Sequence, residues 1–334
     1  MQHTSRMSIL EYILEKLEIF MKSKGVQRAE ARTYLNADGV VLRTDATPPL
    51  WLHLGLNPIL LTLVFVFGLG LLPGGVYAAV GIAMVVLTLA ERRWPARFDW
   101  VQDHDEWLQV FAMFLISALS LTLVEAAAAF VPTQWFSSIH SAVDVIWPAQ
   151  TSLIVGGLVA FTIMQFMAYW AHRWQHEITH LWFTFGHGTH HSYTKLNAIN
   201  WNTAHPFEAL FLTLPAVFVA TVLGQPDAAL LGAGMVMVQT SVGHTNLRLN
   251  ERFIGRIVTT QSQHMQHHSS RFREAQTNYG CAMTFWDRVF GTFSAKDTEK
   301  LGDPMSGERT IWRRLTVPLK RPRNYRFWRY RRDR

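Results

Sequence analysis

Six runs of the chain contain neither lysine nor arginine over 17 to 25 residues: 51–72, 74–90, 107–131, 150–171, 206–223 and 227–243. A helix crossing a ~30 Å hydrocarbon core needs about 20 apolar residues, so each run is long enough to span a bilayer. Within hydrocarbon every backbone polar group must be paired inside the segment, which makes helices the architecture for runs of this length. Charged residues make up only 16% of the 334, against roughly 25% in soluble domains. The expected fold is all-α, a polytopic membrane helix bundle of about six spans.

Loop charge orients the spans. The connections at 72–75, 132–143 and 224–227 carry no lysine or arginine, whereas Arg92, Arg93, Arg97, Arg173, Lys195, Arg248, Arg252 and Arg256 occupy the alternate connections. The positive-inside rule places the latter, and with them both termini, on the cytoplasmic side. The first apolar block begins about 50 residues in, and no cleavable signal peptide is expected.

Four segments follow. Residues 1–50 form a cytoplasmic amino-terminal segment; at 8–22 Ile9, Leu10, Ile13, Leu14, Leu17, Phe20 and Met21 share one helical face. The mixed charge of the opposite face suits contact with protein, in the same chain or in a second copy, so a homodimer is one candidate assembly. Residues 51–104 hold an accessory transmembrane hairpin, 105–295 the main domain and 296–334 a basic aromatic cytoplasmic tail.

The net charge of +7 comes from that tail, because residues 313–334 hold ten Lys/Arg against Asp333 alone. Interleaved with Trp312, Tyr325, Phe327, Trp328 and Tyr330, these charges suit an anionic leaflet and not nucleic acid. Deleting 313–334 is expected to leave both membrane insertion and any bound metal in place.

Eleven of the 15 histidines fall within residues 172–268. They include His172-x-x-x-His176, His187-x-x-His190-His191 and His264-x-x-His267-His268, with His180, His205 and His244 between. Residues i and i+3 or i+4 of a helix lie ~5–6 Å apart at Cβ, so two imidazoles can converge on one ion. The eight motif histidines plus His205 and His244 are too many for one ion and suit two, with about five each. Imidazole ligands suit zinc, copper, iron or nickel, not Mg²⁺ or Ca²⁺. The single Cys281 forms no internal disulfide and supplies no Cys-rich site.

Other polar residues are weaker candidates. His180 suits a supporting hydrogen bond better than ligation, and Glu177, Glu208 and Asn246 are each equally suited to orienting a ligand ring or to solvation. Glu125, the only charge in its run, reads as a residue snorkelling to the interface. His53, His104 and His140 lie near span ends and read as interfacial.

The three boxes, with the stretch His267-His268-Ser269, Asn278-Tyr279-Gly280, Trp286-Asp287-Arg288 and Phe290-Gly291-Thr292-Phe293, resemble the fatty acid hydroxylase/sterol desaturase superfamily of integral-membrane non-haem di-iron enzymes. The resemblance covers roughly residues 105–295. It implies that His172, His176, His187, His190, His191, His264, His267 and His268 hold two iron ions at the cytoplasmic face, with His205 and His244 as further ligands. Zinc is an expected substitute in purified protein. The implied reaction is O₂-dependent hydroxylation of a membrane lipid, a fatty-acyl or amino-acid-linked lipid first and a sterol or other isoprenoid second, then an ether lipid. Lipid desaturation is the alternative within the superfamily, and a histidine-rich membrane metal carrier the alternative outside it. The chain shows neither a His-Pro-Gly-Gly haem signature nor a Gly-x-Gly-x-x-Gly fingerprint, so electrons are expected from a separate ferredoxin or cytochrome with its reductase.

Overall fold

The computed structural model describes residues 33–35, 41–148, 150–251, 254–296, 298, 300–302 and 310–319. The amphipathic stretch at 8–22 and most of the basic tail lie outside the described residues. A two-stranded antiparallel ribbon, β1 (Thr33–Leu35) on β2 (Val41–Thr44), precedes an otherwise helical chain.

Pro48-Pro49 closes the ribbon segment and α1 (Leu50–Gly68) starts directly after it. The turn at Gly74 leads into α2 (Gly75–Arg93). A capping box opens α3 (His104–Ala128): Asp103 Oδ1 accepts the Glu106 N–H at 2.8 Å, and Glu106 Oε2 accepts the Asp103 N–H at 3.2 Å. The short α4 (Ser137–Ile146) precedes α5 (Leu153–Glu177), which starts from a Ser152 N-cap. Two small helices follow, α6 (Thr179–Thr184) and α7 (His187–His190). A 3₁₀ turn at Pro206–Glu208 leads into α8 (Ala209–Val217) and a π turn at Phe218–Val222, and α9 (Pro226–His244) comes next. The remaining helices are short: α10 (Gln261–His267), α11 (Phe272–Ala275), α12 (Phe285–Val289) and α13 (Ile311–Leu315).

Among the described residues four helices, α1, α2, α3 and α5, are long and apolar enough to cross a membrane. This is a polytopic membrane bundle, although two of the six expected spans take another form. The run at 206–223 becomes a shorter apolar helix, Pro206–Val222, that loosens into a π turn after Pro215. The run at 227–243 becomes α9, a helix buried along most of its length that packs on α5, α1 and α2. Its Gln239, Thr240, Ser241 and His244 are buried against protein rather than lipid.

Close packing of α9 on α5 depends on Gly232, where an added Cβ would stand 2.9 Å from the Phe161 backbone nitrogen. That approach brings the carboxyl ends of the two helices together, and these ends carry His172, His176 and His244.

The accessory hairpin is joined to the same end of the bundle. Glu91, buried on α2, accepts the Ala198 N–H at 3.0 Å and the Asn246 N–H at 3.2 Å. Asn246 in turn bonds the Arg97 backbone at both its N–H (2.9 Å) and its carbonyl (2.8 Å). The near end of the carboxy-terminal segment is also docked: Thr189 Oγ1 donates to the Arg314 carbonyl, and Val317 is buried with Trp182 and Phe183. Deletion of 313–334 would remove these contacts of α13 with the second histidine box.

Candidate metal centre

Nine buried histidines form two groups. His172, His176, His187, His191 and His267 compose one; His190, His244, His264 and His268 compose the other. Within each group the candidate ligand nitrogens lie within 4.8 Å of one another.

Local structure explains how the rings converge. The i, i+4 spacing of His172 and His176 places both on one face of α5. Gly186, at φ 73°, turns the chain into α7, and a Cβ there would run into the His205 ring. The single turn of α7 then sends His187 and His191 to one group and His190 to the other. On α10 the sequence splits the same way, His267 to the first group and His264 with His268 to the second.

The outer ring nitrogens identify the tautomers. His172 Nδ1 donates to the Tyr279 carbonyl at 2.6 Å, His267 Nδ1 to the Thr277 carbonyl at 2.8 Å and His187 Nδ1 to Glu208 Oε1 at 2.5 Å. In the second group His244 Nδ1 donates to the Thr240 carbonyl at 2.7 Å. Since a neutral imidazole carries one N–H, each of these rings presents a bare Nε2 lone pair inward. Burial and neighbouring rings hold His190, His191, His264 and His268 far below the ordinary imidazole range, and burial takes His267 down to about 3.

These lone pairs face one another closely. His172 Nε2 is 3.0 Å from His187 Nε2 and 3.0 Å from His267 Nε2, with no proton available to bridge either contact. In the second group His244 Nε2 lies 3.0 Å from His264 Nε2 and 3.2 Å from His190 Nε2. Nitrogens held about 2.1 Å from a cation at right angles would be about 3.0 Å apart. The donor set thus fits two imidazole-bound metal ions, and no carboxylate or thiolate belongs to either group.

The loop after the third box supplies the outer partners. Asp287 accepts the Tyr279 N–H at 2.7 Å, the Gly280 N–H at 2.9 Å and the Thr292 hydroxyl at 2.7 Å. Asn278, at φ 55°, donates to the Gln263 and Ser294 carbonyls. The Asn-Tyr-Gly and Trp-Asp-Arg elements therefore set the carbonyls that orient His172 and His267.

Expected site residues outside the groups have other roles. His205 is not brought to either group: its Nε2 donates to the Leu315 carbonyl at 3.1 Å and its Nδ1 accepts the Phe207 N–H at 3.1 Å, so both nitrogens are occupied. His180 is exposed, and Glu177 pairs with Arg173 at 2.7 Å rather than with a ligand ring. Of the four acids and amides weighed, Glu208 alone touches a ligand. His140 and His53 bond the Thr221 and Arg248 carbonyls.

A cavity of about 140 Å³ opens between the spans against both groups, touching His172 and His187 of the first and His190 and His244 of the second. Its walls come from α3, α5, α8 and α9 and are mainly apolar, with Leu121, Met164, Phe211, Leu212, Val236 and Met237 among them. Glu125 lines it too, at an exposed position on α3. Cys281 also borders it, its thiol pushed up to about 12 by burial and therefore neutral.

Fold and site together define a membrane helix bundle with two buried all-histidine groups able to hold metal beside an apolar cavity. The fatty acid hydroxylase family profile matches residues 157–292, which contain all nine histidines. Over 217 residues the chain is 28% identical to an ornithine lipid hydroxylase of Rhizobium tropici, covering 63% of this chain and 64% of that protein. It is 28% identical over 145 residues to an alkylglycerol monooxygenase of Homo sapiens, covering 41% and 30%. A very-long-chain aldehyde decarbonylase of Oryza sativa subsp. indica is 24% identical over 187 residues, covering 52% and 28%. Each match spans less than two thirds of the relative. No solved structure shows significant similarity to the chain. The family profile over residues 157–292 and these relatives support the resemblance of this core to the fatty acid hydroxylase/sterol desaturase superfamily.

Proposed function

We propose that the protein is an O₂-dependent di-iron hydroxylase of a membrane lipid, working at the cytoplasmic face. The observation that carries this reading is the placement of both histidine groups against one apolar cavity within the spans. Two reducible metal ions bound there would supply the activation of O₂ that side chains alone do not provide. The overall conversion, R–H + O₂ + 2e⁻ + 2H⁺ → R–OH + H₂O, takes its electrons from a separate donor.

The chain's own contribution is positioning. Tyr279, Thr277 and Glu208 fix His172, His267 and His187 as bare-Nε2 tautomers, which keeps the ligand set rigid and neutral. The apolar walls exclude water and hold a hydrocarbon segment against the site. The lipid relatives and the arginine-rich loops support a lipid substrate and a cytoplasmic site within reach of a soluble donor.

Lipid mass spectrometry of membranes made with and without the protein, under ¹⁸O₂, tests the reading. The expected result is one lipid class gaining a single ¹⁸O atom, with the signal absent in His190→Ala. Metal flux into proteoliposomes without O₂ uptake would replace this reading with a metal carrier.

A further inference from the structure

Four buried side-chain atoms around this cavity have no hydrogen-bond partner among the described residues: Gln175 Nε2, Trp201 Nε1, Glu208 Oε2 and Thr240 Oγ1. All four residues line the cavity; Trp201 is half-buried, and Gln175, Glu208 and Thr240 are 3%, 2% and 7% exposed. The last three are tied to the metal end. Gln175 lies between His172 and His176 on α5, Glu208 holds His187 through its other oxygen, and the Thr240 carbonyl holds His244.

Native interiors pair nearly all buried polar groups, so four unpaired atoms bordering one cavity point to a ligand. Their chemistry specifies its character. The Gln175 and Trp201 nitrogens offer donors, the Glu208 oxygen requires one, and the Thr240 hydroxyl takes either part. A plain methylene chain answers none of them. An ester or ether brings acceptors only and leaves Glu208 unmatched. An amide or a hydroxyl group brings a donor and an acceptor together.

We infer that the cavity selects a lipid through an amide or hydroxyl group beside the carbon presented to the metal pair, with Gln175, Glu208 and Thr240 as the specificity-determining residues. The position of the oxidised carbon rests on the proposed hydroxylase function; the recognition itself does not. A group that covers these atoms without pairing them leaves buried polar groups unmatched and loses affinity.

N-methylpalmitamide and methyl palmitate differ only in N–H against O and serve as probes. Equilibrium binding of each, radiolabelled, is measured to the full-length metal-loaded protein in nanodiscs without O₂. The amide is expected to bind at least about tenfold more tightly, because a site built to hydrogen-bond one group rejects its analogue. Glu208→Gln, which leaves an oxygen for His187 and turns the free acceptor into a donor, is expected at unchanged metal content to reduce that preference to about threefold or less, whereas Gln175→Leu weakens both probes together. Equal binding of the two probes by the unmodified protein, or a preference surviving Glu208→Gln, overturns the inference. Turnover on the same preparations separates the two claims: an amide preference with no oxygenated product sinks the hydroxylase reading and leaves recognition standing, and product without preference does the reverse.

Discussion

Thr189, which stands between His187 and His190, donates its Oγ1 hydrogen to the carbonyl oxygen of Arg314 at 2.8 Å, across 125 residues of chain. His205 makes a parallel bond to the neighbouring Leu315 carbonyl, and Arg314 lies over the Tyr193 ring at 3.9 Å while its Nε donates to Ser192. Residues 310–319 thus brace the second box from outside. A chain ending at Leu319 should keep its full metal content. One ending at residue 309 loses these three hydrogen bonds and the buried Val317, roughly 3 kcal/mol or more. Metal analysis and thermal unfolding of the two truncations check this, and equal metal content in both would discount the brace.

His191→Ala and His205→Ala should separate ligation from bracing. The first removes one of five rings from a group and is expected to lower the metal content from about two equivalents toward one, with turnover abolished. The second should retain about two equivalents and a measurable rate, since the His205 nitrogens are committed to Phe207 and Leu315. Loss of an equivalent in His205→Ala alone would return that ring to the ligand set.

The two groups should release metal in order. In the group of five, His172, His187 and His267 have firm outer partners, whereas in the group of four His264 Nδ1 and His268 Nδ1 have none among the described residues. Outer partners typically contribute 10–100-fold in metal affinity. Chelation is therefore expected to strip one equivalent first, from His190, His244, His264 and His268, and Glu208→Leu should narrow the gap by weakening the other site. Titration with a chromogenic chelator resolves the steps; a single step with both equivalents leaving together counts against the asymmetry.

Acid should destabilise the protein through its neutral rings. His267 is held at about 3 and His190, His191, His264 and His268 well below their usual range, while the unfolded chain titrates near pH 6.5 (about). Between those values the unfolded state binds more protons, so stability is full above pH ~6.5 and falls as pH drops through the window toward about 3. Bound metal is released in the same direction, because protons compete for the same lone pairs. Thermal unfolding from pH 8 to 5 should show Tm level at first and then falling below about 6.5; a flat profile would reject the linkage.

The convergence of the histidines was legible because helical spacing acts locally: the i, i+4 pairs of HxxxH and HxxHH share a face, and nine of the ten named histidines meet in the structure. His205 was not legible, because what occupies its Nε2 is a carbonyl 110 residues away. Glu208 looked no different from Glu177 in sequence, yet one is buried against His187 and the other exposed beside Arg173. Span counting faltered where an apolar run buries itself against protein. Hydropathy registers the absence of charge in α9, not that α1, α2 and α5 take the place of lipid around it.

Glu91 bears on where this protein begins as a working unit. Its carboxylate receives backbone N–H groups from Ala198 and Asn246, which belong to loops on opposite flanks of α8 and α9. Trimming the chain to the stretch matched by the family profile, 157–292, would strand both donors and uncover the face of α9 that α1 and α2 enclose. The hairpin is a keystone rather than an appendage, and a transplanted histidine core would need a substitute for that one buried acid before its loops held their spacing.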